Sequence, residues 1–182
     1  FKLAYVTPGC QFPTMVVMPD DRRVLLIEKA RAANALVIED DYEIGLVGHV
    51  KLKPALKSLD EDGTVIYVGS LSKTLSPSIR MGFIVAHRDI IKSAKVVRSL
   101  TVRHPPSIVQ ETTAMFLAHG YHDAHIKNLR EIYSQRWHIM REGIKKHLPM
   151  FSPGDAAGGT SFWLSGPKNF NAEIFAKKLQ KR

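Results

Sequence analysis

The sequence predicts an α/β fold in which a large layered domain gives way to the beginning of a smaller α+β one. Two observations carry this. Short apolar runs closed by polar or glycine-containing turns alternate with a helix-forming stretch as far as residue 86, as expected when strands and helices share one sheet-based unit. Beyond that point the chain turns helical, and strand and turn signals return only after residue 150.

Lys2 to Val6 reads as a short strand, followed by a proline-rich turn through Pro13. Pro19-Asp20-Asp21 opens a helix to about Ala33, with aspartate as cap and as complement to the helix dipole. Leu25, Leu26, Lys29 and Ala30 form its sheet-facing stripe. Ala35 to Ile38 is a buried strand running into Glu39-Asp40-Asp41-Tyr42-Glu43, and a loop follows through Pro54. Thr64 to Val68 is the next strand and Met81 to Ala86 another. Helices are expected from His87 to Arg103, Pro106 to His119 and His122 to about His147, with Pro105-Pro106 breaking the first pair. Pro153-Gly154-Asp155 and Gly158-Gly159 read as turns, Ser161 to Leu164 as a strand, and Asn171 to Lys181 as a terminal helix.

At 182 residues, with 45% hydrophobic and 24% charged content, the chain can bury a core as one domain or as parts of two. The formal charge of +9 is spread along helices, chiefly between Arg88 and Arg103 and between Lys127 and Lys146. Neither a basic recognition helix nor aromatic interleaving accompanies it, so a solvated basic surface is the better reading than a nucleic-acid site. The single Cys10 excludes an intrachain disulfide, suits a reducing cytoplasm, and reads as a packed small residue. No apolar run reaches the length of a membrane helix. His122 and His125 share a helical face near His119, yet converging metal ligands are not evident, and no metal is expected. Trp163 beside Phe162 reads as packing, and His104 as a helix-break residue.

One stretch names a chemistry. The strand through Val68 delivers Ser70-Leu71-Ser72-Lys73, and Arg80-Met81-Gly82 follows. A lysine at a strand end can condense with a carbonyl, and two hydroxyls with an arginine suit the phosphate of a cofactor such as pyridoxal phosphate. S-x-S-K alone equally describes a solvated lysine at a helix start. The acidic run supplies the second half. A pyridoxal site needs a carboxylate for its pyridine nitrogen, and a phenol beside the ring hydroxyl helps it. On an extended segment Asp40 and Tyr42 share a face, while Asp41 points away.

Tyr5-Val6-Thr7-Pro8, Gln11-Phe12-Pro13-Thr14, Ile38 to Tyr42, Val65 to Leu75, Arg80-Met81-Gly82, Arg103-His104-Pro105-Pro106 and Gly158 to Leu164 occur in the order found in fold-type I aminotransferases of class I and II. Their wording most resembles the aminotransferase-like domain of MocR-type bacterial transcriptional regulators of the GntR family. The resemblance implies a fold-type I, α/β/α large domain, present in part, followed by the start of a small α+β domain. Residues 1–120 would belong to the large domain, 121–148 to a long linking helix and 149–182 to the small domain. It further implies that Lys73 forms the internal aldimine with pyridoxal 5'-phosphate and that Asp40 partners the pyridine nitrogen. Tyr42 would bond the ring oxygen, and Ser70 with Arg80, in the turn that includes Ser72, would hold the phosphate. Phe12-Pro13 falls where related enzymes carry an Asn-Pro bond that is often cis, and Met15 and Ser78 stand where glycine is common, which implies a shifted backbone there.

The segment resembles a fragment: the glycine-rich phosphate cup and the ring-stacking aromatic of the family lie upstream, and the carboxylate-binding arginine downstream. The reading implied is a cytoplasmic, homodimeric, pyridoxal-phosphate-binding domain that senses an amino acid or amine ligand and acts on DNA through an upstream winged-helix domain. The alternative is a working aminotransferase moving an amino group between an amino acid and a 2-oxo acid. A third is an interaction domain that has lost its cofactor, against which Lys73, Asp40, Tyr42 and Arg80 stand.

Overall fold

The computed structural model describes residues 1–43, 46, 53–154 and 159–180. Much of the loop expected before Pro54, the turn residues Asp155 and Gly158, and the end of the last helix at Lys181 lie outside the described residues. Four strands, β1 (Leu3–Val6), β2 (Leu36–Asp41), β3 (Val65–Ser70) and β4 (Gly82–Val85), form one sheet in that order. The first three run parallel, pairing Val6 with Glu39 and Asp41 with Gly69, so their carboxyl ends share one edge of the sheet. Ligands of open α/β sheets bind at such an edge. The fourth strand returns antiparallel, with Gly82 opposite Ser70.

Helix α1 (Asp20–Ala32) packs on this sheet. Ile27, Ala30, Val37, Leu56 and Val65 make the core, with Ala4, Val6 and Leu26 against it. The expected stripe is corrected here: Leu25 and Lys29 face solvent, and the buried face is Arg23, Ile27 and Ala30. An arginine in that face escapes any apolar pattern. The cap differs too. Pro19 occupies it without a side-chain bond, while Asp20 and Asp21 sit in the first turn, where their charge still complements the dipole.

Arg23 is 1% exposed. Its guanidinium donates to three carbonyls, Met18 at 2.9 Å, Pro54 at 2.6 Å and Pro8 at 2.7 Å. Burial lowers its pKa from the ordinary arginine value, and Glu39, Asp20 and Asp41 act the other way. One side chain therefore ties the turn after β1, the approach to α1 and the loop before β3 together. Glu39, also buried, accepts from the backbone N–H groups of Leu56 and Lys57 at 2.7 and 2.8 Å, which caps the 3-10 turn Leu56–Leu59.

The turn after β1 holds a cis Phe12-Pro13 bond and Met15 at φ 61°. The shifted backbone expected at Met15 is present; Ser78 lies in a 3-10 turn instead, and the positive φ falls on Arg80. Met15 is 1% exposed, with its sulfur 3.4 Å from the Cys10 thiol. Replacing it by glycine relieves about 1 kcal/mol of backbone strain but removes a buried side chain worth about 2–5 kcal/mol. The cavity dominates, so Met15→Gly is expected to lower the urea midpoint.

Beyond β4 come α2 (Arg88–Thr101), α3 (Ser107–Ala118) and the long α4 (Tyr121–His147). Two-residue strands β5 (Ser152–Pro153) and β6 (Leu164–Ser165) then pair antiparallel, and α5 (Ala172–Leu179) follows with Asn171 capping Ile174. Pro153, expected in a turn, is thus in a strand, and the strand expected at Ser161 begins only at Leu164. Phe151, Phe170 and Phe175 cluster with centroids 4.8–5.9 Å apart. Phe162 stacks on Trp137, whereas Trp163 stays 44% exposed, against its expected packing role.

Candidate functional site

The parallel edge of the sheet opens into a cleft of about 860 Å³. Its walls are mostly apolar, with Phe12, Val16, Val17 and Met18 on one side, and Tyr5, Asp40, Tyr42 and Lys73 bring polar groups to it. Three of the residues expected in a cofactor site therefore meet here. They arrive from different elements: Asp40 near the end of β2, Tyr42 from the turn just past it, and Lys73 from the turn beyond β3. Tyr42 is off the strand, so the period-two argument does not place it; the turn nonetheless leaves it lining the same cleft as Asp40. Asp41 does point away, accepting from the Tyr67 hydroxyl at 2.9 Å, and burial raises its carboxyl above the usual range.

Asp40 accepts from the hydroxyl of Tyr5 on the neighbouring strand, and that bond raises the Tyr5 phenol above its ordinary value. The sequence reading assigned Tyr5 no role, although it opens the first quoted motif. The Tyr42 hydroxyl is buried and has no hydrogen-bond partner of sound geometry among the described residues. Burial raises its pKa from the ordinary tyrosine value, and the adjacent Cys10 adds to this. Cys10 is packed as expected, and burial pushes its thiol up to about 11. An unpartnered buried phenol beside a carboxylate and an amine fits an aromatic ligand carrying a ring oxygen and a basic nitrogen.

Lys73 Nζ lies 4.5 Å from the Tyr42 ring centroid, 2.9 Å from Glu43 Oε1 and 3.2 Å from the Thr160 hydroxyl. Glu43 and Thr160 are contacts of Lys73 to which the sequence assigned no role. Glu43 was the last member of an acidic run, buried like Glu39, and only its contact with Lys73 sets it apart; Thr160 stood in the glycine turn before Ser161.

Ser70, Ser72 and Arg80 do not line the cleft with Lys73. Ser70 Oγ accepts from the Ser72 N–H at 3.3 Å, and the exposed Arg80 makes no hydrogen bond or ion pair among the described residues. The turn they share is closed by Leu71 N to the Met81 carbonyl at 3.0 Å. Gly82 is required there, because a Cβ would stand 2.7 Å from the Gly69 carbonyl oxygen.

Residues 5–182 match the profile of the aminotransferase class I and II family. The HTH-type transcriptional regulator TauR of Rhodobacter capsulatus is 35% identical over 98% of this chain and 37% of its own length. The probable rhizopine catabolism regulatory protein MocR of Rhizobium meliloti is 34% identical over 81% of this chain and 30% of its own length. Among solved structures, a Pyrococcus horikoshii kynurenine aminotransferase, described in complex with PMP, superposes with TM-score 0.93 at 29% identity, covering 99% of this chain and 45% of that one. The chain thus spans between about a third and under half of the proteins it matches. No helix among the described residues is long and apolar enough to cross a membrane.

Proposed function

This chain belongs to the aminotransferase class I and II family, and on that premise we propose that it is the pyridoxal-phosphate-binding, ligand-sensing part of a MocR-type transcriptional regulator. The observation that carries the reading is the convergence of Lys73, Asp40 and the unpartnered Tyr42 hydroxyl on one largely apolar cleft. The identity to two regulators supports the regulatory half of it. When bound, pyridoxal phosphate supplies an aldehyde that a lysine or a ligand amine can take up reversibly, and a ring that withdraws electrons.

In this reading Lys73 offers its amine to the carbonyl carbon. Asp40, held in place by Tyr5, presents a carboxylate oxygen to the pyridine nitrogen and keeps it protonated. Tyr42 donates its hydroxyl to the ring oxygen, and the apolar wall of Phe12, Val16 and Val17 excludes water. Ser70, Ser72 and Arg80 lie beside rather than in the cleft; the resemblance assigns them the phosphate, and the Arg80 guanidinium has no hydrogen-bond or ion-pair partner among the described residues to compete for it. The division into a large domain through residue 120, the linking helix 121–148 and a small domain from 149 belongs to the same proposal. So does a homodimer: Leu3 and Tyr5 on β1, Val96, Val97 and Leu100 on α2, and Ile108 and Met115 on α3 are all exposed, as befits surfaces that further protein covers. DNA would be reached by an attached helix-turn-helix domain.

The test is an absorbance and mass measurement on the purified protein with added pyridoxal phosphate. A shifted absorbance band and, after borohydride reduction, one cofactor equivalent on the Lys73 peptide are expected, both absent in Lys73→Ala. The absence of any adduct in the wild-type protein would sink the reading. Closeness of fold to a kynurenine aminotransferase supports the second reading, a working transaminase. Sustained conversion of a 2-oxo acid with an amino donor selects that one, whereas a single exchange with an amine and no turnover selects the sensor.

A further inference from the structure

Glu43 is 3% exposed, and its Oε2 has no hydrogen-bond partner among the described residues. Its Oε1 meets Lys73 Nζ at 2.9 Å and also accepts from the Thr160 hydroxyl. Thr160 reaches this spot from far along the chain because Gly159 stands at φ 100°, where a Cβ would come within 2.6 Å of Glu43 Oε2. The lysine, the carboxylate and the hydroxyl thus form a closed triangle, since Lys73 Nζ also donates to Thr160 at 3.2 Å.

We propose that Glu43 is the proton acceptor of Lys73: the buried carboxylate takes the ammonium proton when the lysine bonds to a carbonyl and returns it when the lysine is released. The proposal rests on the reading of Lys73 given above and goes beyond it by naming where the proton resides. A buried carboxylate deprived of its cation is costly, by several kcal/mol for an uncompensated ion. Taking up the proton removes that cost. The step balances: the ammonium gives one proton to Glu43, the amine nitrogen bonds to the aldehyde carbon, and the aldehyde oxygen leaves as water with the two remaining nitrogen hydrogens. Charge is zero for the pair before and after. The Thr160 hydroxyl donates to the same carboxylate oxygen.

Other charged and titratable groups face this triangle. Cys10, Tyr42 and Asp41 adjoin Glu43, Asp40 and Tyr5 line the same cleft as Lys73, Tyr67 holds Asp41, and Arg22 stands at the cleft wall. The Cys10 thiol is pushed up to about 11 by burial, and the Tyr5, Tyr42 and Tyr67 phenols are raised above 10. None of these four changes protonation between about pH 6.5 and 8.5. The remaining groups are common to wild type and a Glu43 variant.

Linkage makes the test quantitative. A condensation that keeps its proton on the protein has a pH-independent equilibrium; one that releases it to solvent tightens by up to about tenfold per pH unit. The apparent Kd for pyridoxal phosphate, read from the Lys73-dependent absorbance band between about pH 6.5 and 8.5, is expected to stay level in the wild type. In Glu43→Gln it should tighten by up to about tenfold per unit, relative to wild type. Adduct on the wild-type Lys73 with a Kd that steepens tenfold per unit overturns the proposal without any variant, and so does a level profile in both proteins. Absence of adduct in the wild type overturns the reading of Lys73, and this proposal with it. Thr160→Val, which keeps the carboxylate, is expected to retain the level profile; a steep one there overturns the assignment to Glu43.

Discussion

Arg23→Met should leave the chain largely unfolded, or lower its unfolding free energy by about 3–5 kcal/mol, as read from the urea midpoint at constant m. The side chain gives three hydrogen bonds to the carbonyls of Pro8, Met18 and Pro54, each from a charged donor. Such bonds are worth about 1.5–3 kcal/mol apiece, and buried acceptors left without a donor add their own penalty. Methionine fills the space and removes the buried charge, which offsets part of the loss. The Pro8 carbonyl also keeps its bond from the Met18 N–H. The remaining acceptors decide the sign. Arg23→Lys is expected to fall between, since one ammonium cannot reproduce a planar fork aimed at three carbonyls. A midpoint for Arg23→Met within a few tenths of a molar of wild type would show that the three loops hold together without it.

Asp40→Ala is expected to weaken pyridoxal phosphate binding by about ten- to a hundredfold, corresponding to loss of one charge-assisted hydrogen bond of about 1.5–3 kcal/mol. Its neighbour provides the contrast. Asp41→Ala removes an equal charge one residue away but on the opposite face, where the carboxylate accepts from Tyr67. That substitution should cost about 1 kcal/mol of stability and leave cofactor affinity within about twofold. Cofactor titrations on both variants, with a parallel urea series, separate the two effects. Equal losses of affinity would mean that the face of β2, rather than the charge of the cluster, has been misassigned.

Much of this was legible in the sequence, because the elements announce themselves by local chemistry. The apolar runs before Asp40 and Ser70 became β2 and β3, and the proline pair at Pro105-Pro106 separates α2 from α3 as read. Lys73, Asp40 and Tyr42 were identified by the order of their motifs and do meet in one cleft. Arg23 was not legible, since hydrophobic periodicity takes an arginine for a solvent residue and its partners are backbone atoms of three separate segments. Glu43 was hidden for a related reason. In a run of acids, the one that meets Lys73 is decided by where the turn after β2 and the glycine turn before Thr160 come to rest, and both are tertiary outcomes. Thr160 carried no signal of its own, and the two-residue strands β5 and β6 are too short for a period to register.

The three acids at the end of β2 do three separate jobs: Glu39 caps the turn at Leu56, Asp40 faces the cleft, and Asp41 faces Tyr67. What assigns them is only the alternation of the strand. A single inserted or deleted residue between Leu36 and Glu39 would keep every charge in the cluster, yet hand the cleft to Glu39 or Asp41 and leave the Leu56 and Lys57 amides without their cap. A single substitution along β2 therefore removes one of the three jobs, whereas a one-residue length change should disable site and fold together.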